Sequence, residues 1–576
     1  MSACLCGLSL FAAGRDADSY VYNKYNGINN TEQSSWGALN CHDPKLFQDD
    51  DGTYYVYSTD ASIGNIHKPG LQVRSSNDLV HWKCRAQPAL GNNWDKEFLS
   101  WVGQKAGSAT TWAPTVIKQN GLYYMYHGII TDNITRGQPT ACITLAIASK
   151  PEGPFYPAVT AGKKDAAVGA VLAKLGVNYT QSSLVRYAWS SQSTKNTASY
   201  KTLEAEDSGS ASWNNGFGAI DPEFVNDVSD GSLKTFKVGT NDCYAVTYGS
   251  WKGGIALMYV DAVSLKPVDT EGNELDVPAD TVDGAFGTLI AGGAGAAFEG
   301  AQVIYNAHTG YYYIFVSMGD LNNEYRVGTG RSRTITGPYL DASGNDMKFT
   351  MPGLASAYHA YGSKIIGAAQ FKNESGWRCP GGESILRTKD GKVMFACHSR
   401  TNFLPGYFFY LQLRQMFFTP DGWPVLNQNE YYNDHNGNDE HLSPLTVEEI
   451  AGTYDAILTS RGSGTKEYTP YGGSPVQCNA FDGIPAESAE LTLNADGTIG
   501  GKKYGGSWHI SLDDGYSITI ALATPGGKLL GTFTGYVLHA VDWARRGRGT
   551  RRTITFTTID ADNDAEGGEY FFGNRR

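Results

Sequence analysis

The stretch Cys41-His42-Asp43-Pro44-Lys45-Leu46-Phe47-Gln48-Asp49-Asp50-Asp51-Gly52-Thr53-Tyr54-Tyr55-Val56-Tyr57-Ser58-Thr59-Asp60 decides how the chain is read. An acidic residue before proline opens it, and Leu46 and Phe47 make a short apolar strand. Asp49-Asp50-Asp51-Gly52 is a turn signal, and residues 53–58 alternate with the period of two that a β-strand requires. The stretch predicts one antiparallel hairpin.

The same grammar returns along the next three hundred and fifty residues. Trp112-Ala113-Pro114-Thr115-Val116-Ile117 turns at Asn120-Gly121 into Leu122-Tyr123-Tyr124-Met125-Tyr126, and Ile220-Asp221-Pro222-Glu223-Phe224-Val225 leads to Cys243-Tyr244-Ala245-Val246-Thr247-Tyr248. Phe298-Glu299-Gly300-Ala301-Gln302-Val303-Ile304 turns at Thr309-Gly310 into Tyr311-Tyr312-Tyr313-Ile314-Phe315-Val316. Pro380-Gly381-Gly382-Glu383-Ser384-Ile385-Leu386 turns at Asp390-Gly391 into Lys392-Val393-Met394-Phe395-Ala396-Cys397. Outer segments repeat too, since Gly153-Pro154-Phe155 and Gly337-Pro338-Tyr339 follow their strand starts at nearly the same offset. Five units of several antiparallel strands predict a five-bladed β-propeller.

At 576 residues the chain exceeds one ordinary core, so a second domain is expected. With Tyr 35, Phe 23, Trp 12 and Gly 69, and few helix-period stretches, the composition is that of an all-β protein with glycine-rich turns. The propeller is assigned to residues 20–440, beginning with an Asn- and Tyr-rich leader at 20–37. Extra length at 158–218, Ser-, Thr- and Asn-rich from 182 to 215, reads as a long rim loop. A polar linker up to His441 separates it from a second β unit at 445–576. Strands there are expected at 452–458, 489–493, 508–512, 516–522, 530–538 and 553–559, with a turn at Asn494-Ala495-Asp496-Gly497, which predicts a small C-terminal β-barrel or sandwich. That domain carries no carboxylate cluster and is expected to pack against the propeller without supplying a catalytic group.

A net charge of −12 argues against a nucleic-acid surface and suits a neutral ligand. The basic run at 545–552 reads as a solvated hairpin tip. Residues 1–14 are small and apolar around Leu5, Leu8, Leu10 and Phe11 and end in Ala12-Ala13-Gly14, which reads as the remnant of a secretory signal and implies a secreted or periplasmic protein. No later stretch is long and apolar enough to span a bilayer, and a monomer is expected. Beyond Cys4 and Cys6, seven scattered cysteines remain at 41, 84, 142, 243, 379, 397 and 478, an odd number without a metal-type pair. Most read as buried thiols, and Cys379 and Cys397 flank one hairpin as candidate neighbours.

In a propeller the first strand of each blade lines the axis, so residues at equivalent strand starts converge on one mouth. Here they are Asp43, Asp221 and Glu299. Singly, an Asp before Pro is a turn opener and a Glu beside Gly a solvated turn. Recurring in three blades, they form a set of carboxyls suited to acid/base cleavage of a glycosidic bond, one ionised, one protonated, and a third raising its neighbour's pKa. Trp112 and Trp251 are candidates for stacking on sugar faces or, equally, for packing between blades.

Together, His42-Asp43-Pro44, Trp112-Ala113-Pro114, Ala219-Ile220-Asp221-Pro222, Tyr248-Gly249-Ser250-Trp251 with Gly253-Gly254-Ile255, Glu299-Gly300 and Cys397-His398-Ser399-Arg400 resemble glycoside hydrolase family 43, and within it the two-domain extracellular endo-α-1,5-L-arabinanases. The resemblance covers nearly the whole chain from about residue 20. It implies an inverting mechanism with Asp43 as general base, Glu299 as general acid and Asp221 as the carboxylate that tunes Glu299 and orients substrate. It implies that His42, Trp112, Gly128, Ala219, Ile220, Gly249, Ser250 and Trp251 line the sugar site. It also carries His398 over as the protein ligand of a calcium ion held on the axis largely by water, although a histidine on an apolar strand is by itself more often a core residue. The polysaccharide expected is arabinan, as in pectin side chains. One departure stands out: many relatives have a Gly-His-Asn sequence where this chain has Gly381-Gly382-Glu383-Ser384.

The same machinery serves an exo-acting α-L-arabinofuranosidase or β-xylosidase, which differs only in subsite shape. A non-catalytic carbohydrate-binding propeller is the reading of another class, and the intact carboxylate triad argues against it. A retaining propeller fructosidase lacks its usual words here.

Overall fold

Each repeated word opens one antiparallel sheet, and five such sheets follow one another around an axis. In this computed structural model the described residues are 34, 36–60, 69–102, 109–131, 140–188, 217–251, 253–372, 376–401, 409–433, 440–470, 474–542, 551–560 and 569–576. The expected signal segment at 1–14, nearly all of the 20–37 leader, the 189–216 part of the long rim stretch, the 434–439 part of the linker and the 543–550 part of the basic run lie outside them.

The inner strands are Lys45–Gln48, Ala109–Gln119, Glu223–Phe224, Phe298–Asn306 and Gly376–Arg387, and each pairs outward with the strand that follows its turn. The alternation read from the sequence has a direct spatial meaning. Leu46 packs towards blade five with Met394 and Leu411, while the next residue, Phe47, packs towards blade two with Val116 and Tyr123. Comparable buried clusters fill the junctions of blades two and three around Tyr126 and Phe224, three and four around Leu257 and Val303, and four and five around Tyr313 and Phe395. Period two therefore builds both faces of every blade from one strand. The ring closes without a covalent link: Leu39 bridges Tyr410, the Asn40 amide donates to the Phe409 carbonyl, and the Leu411 amide donates to the Ala38 carbonyl.

One backbone feature recurs at each inner strand. Asp43, Ala113, Asp221, Gly300 and Gly382 have φ of 49°, 37°, 57°, 63° and 59°, the left-handed region that costs a residue with a Cβ roughly 1–2 kcal/mol. Proline follows in blades one to three. This register corrects one expectation. The position equivalent to Asp43 and Asp221 in blade four is Gly300, so Glu299 stands one residue earlier, level with His42, Trp112, Ile220 and Gly381. Glycine absorbs the bend beside Glu299 at no steric cost.

Two residues past each bend stand five polar side chains that tie neighbouring blades together. Lys45 Nζ lies 2.5 Å from Glu223 Oε2, which also accepts from Thr115 Oγ1 at 2.8 Å. Gln302 accepts from the Ile385 amide at 2.6 Å, and Ser384 Oγ accepts from the Leu46 amide at 3.1 Å. All five are buried, and each has a partner in a neighbouring blade, three on one another's side chains and two on backbone groups.

Part of the expected rim loop is instead helical. The Ala166–Leu175 helix is capped by Asp165, which accepts from the Ala167 and Val168 amides, and ends on Gly176 in the left-handed conformation. Alanine-rich composition and two good caps outweigh the loop-like length. The Ser183–Ala188 strand then adds a fifth strand to blade two.

The C-terminal domain is a closed barrel of eight strands, Gly452–Thr459, Ala489–Leu493, Thr498–Gly500, Gly505–Ile510, Ser517–Ala523, Leu529–Asp542, Arg551–Asp560 and Tyr570–Arg575. Its interior is filled by Tyr454, Leu491, Trp508, Ile520, Phe533, Phe556 and Phe571. Between its first two strands a hairpin, Thr465–Tyr468 with Val476–Asn479, reaches out towards the propeller, and Ala486–Glu487 adds a parallel strand to Ala369–Gln370 of blade five. The seven cysteines among the described residues are all buried and unbridged, including Cys379 and Cys397.

Candidate active site

The mouth of the axis holds a cavity of about 340 Å³ lined by side chains from all five blades. Blade one supplies Asp43, whose Oδ2 accepts from Thr59 Oγ1 at 2.6 Å. Thr59 in turn accepts from the Ala113 amide at 2.9 Å, tying the carboxyl to blade two. Blade three supplies Asp221, whose Oδ2 accepts from the Gly300 amide at 3.1 Å. Blade four supplies Glu299, held from both sides: Oε2 accepts from Ser250 Oγ at 2.7 Å and Oε1 from Tyr325 OH at 2.8 Å. Blade five supplies Glu383, whose Oε2 accepts from Ser317 Oγ at 2.7 Å.

Asp60 and Glu223 line the same mouth, and six carboxyls gathered there cannot all carry charge. Burial raises Glu299, its bonds from Ser250 and Tyr325 pull it back, and Asp43 raises it again. Burial followed by the charges of Glu299 and Asp43 pushes Asp221 well above the carboxylate range. Burial lifts Glu383 to about 8 despite the hydrogen bond from Ser317. The site therefore keeps protonated carboxyls available near neutral pH, as general-acid chemistry requires.

Of the residues named from the sequence, His42, Asp43, Trp112, Ile220, Asp221 and Glu299 line the cavity. Trp112 is a large exposed hydrophobic at 37 % and presents an open ring there. Ser250 and Trp251 stand one layer back, both hydrogen-bonding to Glu299. The Gly249 amide donates to the Ile220 carbonyl, Gly128 pairs with Trp112 across two strands, and Ala219 is buried in the core between blades two and three. These three shape the wall from behind.

His398 is fully buried behind Asp43. Its Nδ1 accepts from the Asp43 amide at 3.2 Å and lies 3.6 Å from Asp43 Oδ1, and its ring packs on His42 and Phe409 at 4.5 and 4.6 Å. Gly382 permits this approach, since a Cβ there would stand 2.7 Å from Asp43 Oδ1 and 2.8 Å from His398 Nδ1. His42, Asp43 and His398 together offer donor atoms within 4.8 Å of one another, the one such group of three among the described residues. His398 Nε2 is buried without a hydrogen-bond partner among them, so the site fits a group that engages that atom.

The sequence reading missed Thr59, Tyr325 and Glu383. Glu383 occupies the position held by Pro44, Pro114 and Pro222, and aligning the blades on the left-handed residue would have exposed it. Thr59 lies in the opening stretch, one residue past its second strand. Tyr325 comes from a connection with no counterpart in the other blades and leaves no signal.

The family model of glycosyl hydrolases family 43 matches residues 37–171 and 263–424, and that of a C-terminal lipocalin-like domain matches residues 430–566. An extracellular endo-α-(1→5)-L-arabinanase of Thermotoga petrophila is 27 % identical over 491 residues, covering 82 % of this chain and 83 % of its own. A second of that description, from Bacillus subtilis, is 25 % identical over 552 residues and 92 % of both chains. An extracellular exo-α-(1→5)-L-arabinofuranosidase of Cellvibrio japonicus is 24 % identical over 68 % of this chain and 88 % of its own. The crystal structure of the endo-1,5-α-L-arabinanase from Thermotoga petrophila superposes with a TM-score of 0.65 over 94 % of this chain and 99 % of that one, at 22 % identity. A family match spanning just over half of the chain, on a propeller whose mouth gathers its carboxyls as acid/base hydrolysis demands, places the protein in glycosyl hydrolases family 43.

Proposed function

We propose that this glycoside hydrolase cuts α-1,5-linked L-arabinan internally and with inversion. The observation that carries the chemistry is the gathering of Asp43, Asp221 and Glu299 on one cavity, each fixed by a different neighbour. In this reading Asp43 takes a proton from water as the water attacks the anomeric carbon. Glu299 delivers its proton to the departing oxygen as the glycosidic bond breaks. Asp221, bonded to the Gly300 amide beside Glu299, is the carboxyl that tunes the acid and orients the substrate. The Thr59 hydroxyl, donating to Asp43 Oδ2, fixes the orientation of that carboxyl, and the open ring of Trp112 offers a platform for a sugar face. The substrate reading is supported by two relatives named endo-arabinanases that cover 82 % and 92 % of this chain; a third of that description covers 62 % and the exo-acting relative 68 %. Relatives described as extracellular support a secreted protein.

The proposal includes a calcium ion on the axis with His398 as its protein ligand; when bound, it supplies positive charge behind the base. For this His398 would present an unprotonated Nε2, which requires Nδ1 to give up the bond it accepts from the Asp43 amide and to carry the ring proton instead. Oxygen donors around such an ion would be largely water.

Products from linear arabinan test the reading. Short oligosaccharides with β-configured fresh ends are expected, and arabinose alone from the outset would favour the exo-acting alternative. Chelation, or His398→Ala, should lower turnover, and full activity in metal-free protein would remove His398 from the site.

A further inference from the structure

Tyr325 is the residue that holds the inner oxygen of Glu299, and it stands in the connection between the Tyr311–Met318 and Arg326–Ser332 strands. This connection bends back on itself: the Asn322 amide donates to Asp320 Oδ1 and the Glu324 amide to the Asp320 carbonyl. One side of it, through Leu321 and Tyr325, lines the cavity. The other side meets the second domain.

The two residues flanking Tyr325 are both held by one short turn of that domain. Glu324 Oε2 accepts from the Asn479 amide at 2.6 Å, with Tyr358 OH on its other oxygen at 3.2 Å. Arg326, fully buried, places Nε 3.3 Å from Asp482 Oδ2. Burial alone would raise Asp482, but Lys364 at 2.5 Å and Arg326 hold it well below the carboxylate range, so this contact is between full charges. Between these grips Gly483 lies so close to the Asn323 carbonyl that a Cβ would stand 2.6 Å from it, and Arg378 donates to both the Gly483 and Asn323 carbonyls at 3.4 Å. Backbone amides, a buried ion pair and a steric stop thus fix a connection that the propeller's own repeats do not specify.

We propose that the second domain sets the position of the acid: its 479–483 turn clamps Glu324 and Arg326 and thereby holds the Tyr325 hydroxyl on Glu299. The proposal rests on the reading of Glu299 as general acid. Tyr325, Glu324, Asn479, Asp482 and Gly483 are positioning residues; the chemical steps stay in the propeller.

A defect in proton delivery is felt by a poor leaving group and spared by a good one, which separates it from general damage. Turnover is therefore measured on a linear arabino-oligosaccharide and on its dinitrophenyl glycoside, with unfolding midpoints recorded alongside. Glu324→Ala, and Gly483→Ala, whose Cβ must push the Asn323 carbonyl aside, should each lower kcat on the oligosaccharide about tenfold, leave KM within about twofold, and lose much less on the dinitrophenyl substrate. Tyr325→Phe should do the same, and adding Glu324→Ala to it should cost little more, because both act through one contact. Equal losses on the two substrates, unchanged kcat in both clamp variants, or fully additive losses would overturn the clamp. Glu299→Ala with near-normal turnover of the oligosaccharide would instead overturn the assignment of the acid, and the two failures are told apart by that variant alone.

Discussion

At the centre of the propeller stand Lys45, Thr115, Glu223, Gln302 and Ser384; at the centre of the C-terminal barrel stand Leu491, Trp508, Ile520, Phe533, Phe556 and Phe571. Both sets are buried and both come from inward-facing strand positions, yet one is polar and the other apolar. An apolar filling stabilises in proportion to the area it removes from water, about 1.5–3 kcal/mol for each large side chain, and it tolerates small shifts. A polar filling gains little net stability, since desolvation offsets most of each bond. It fixes direction, because every group must meet a particular partner. The site sits above the polar centre. Four carboxyls can be held apart, and at different protonation, only where direction is fixed.

The comparison breaks most sharply at the site itself. Asp43→Ala and Glu299→Ala should each lower hydrolysis of linear arabinan by on the order of a thousandfold, in protein whose circular dichroism matches the parent. Asp221→Asn should be severely impaired as well. Turnover near the parent level in Glu299→Ala would mean that the polar centre serves stability alone.

Next comes the axial pair. Lys45→Met leaves Glu223 buried without its cation, with only the Thr115 hydroxyl on it, and should destabilise by about 3–5 kcal/mol in urea unfolding, whereas Lys45→Met with Glu223→Leu should recover most of that loss. A double variant as unstable as the single one would show that the pair is needed as packing and not as charge. In the barrel, Leu522→Ala should cost about 2–5 kcal/mol by the cavity it leaves, while kcat on a short oligosaccharide stays at the parent value. A fall in kcat at full folding would blur the division between the two centres.

Per pH unit, the smallest effect is that of the acid side chain of blade five. Glu383 keeps its proton in the folded protein up to about pH 8 and gives it up near 4.5 when unfolded. Between those values the unfolded chain binds fewer protons than the native one. The contribution of Glu383 to stability should therefore be fully present below pH 4.5 and fall by about 1.4 kcal/mol per pH unit until pH 8. Glu383→Gln removes the ionisable group, so its unfolding free energy should lose that slope. An unchanged slope would mean that another carboxyl carries it.

Much of this architecture could be read from the chain, and the reasons differ by element. Blade number and strand order were legible because Leu46 and Phe47, and their counterparts in each blade, alternate between two apolar interfaces. A period of two leaves no other placement. Six of the twelve residues named for the site line the cavity because they belong to the repeated words. The offset of Glu299 was hidden, since a left-handed bend has no side-chain signature and Asp43, Ala113, Asp221, Gly300 and Gly382 share none. The helices after Ala158 were hidden by length, because composition favours them only once Asp165 and Gly176 are seen as caps. Tyr325 lay beyond reach, since its place depends on contacts with residues 479–483, more than one hundred and fifty positions away.

The noncovalent seam between residues 38–40 and the Phe409–Phe418 strand has a consequence for the life of the molecule. A ribosome delivers Asp43 a full 355 positions before His398, yet the two must meet across that seam. Until the fifth blade emerges and docks on the first, no pocket exists. The nascent protein is therefore inert towards any glycan it encounters, and a chain clipped or terminated before the last blade stays so. The acquisition of activity reports that the ring has closed.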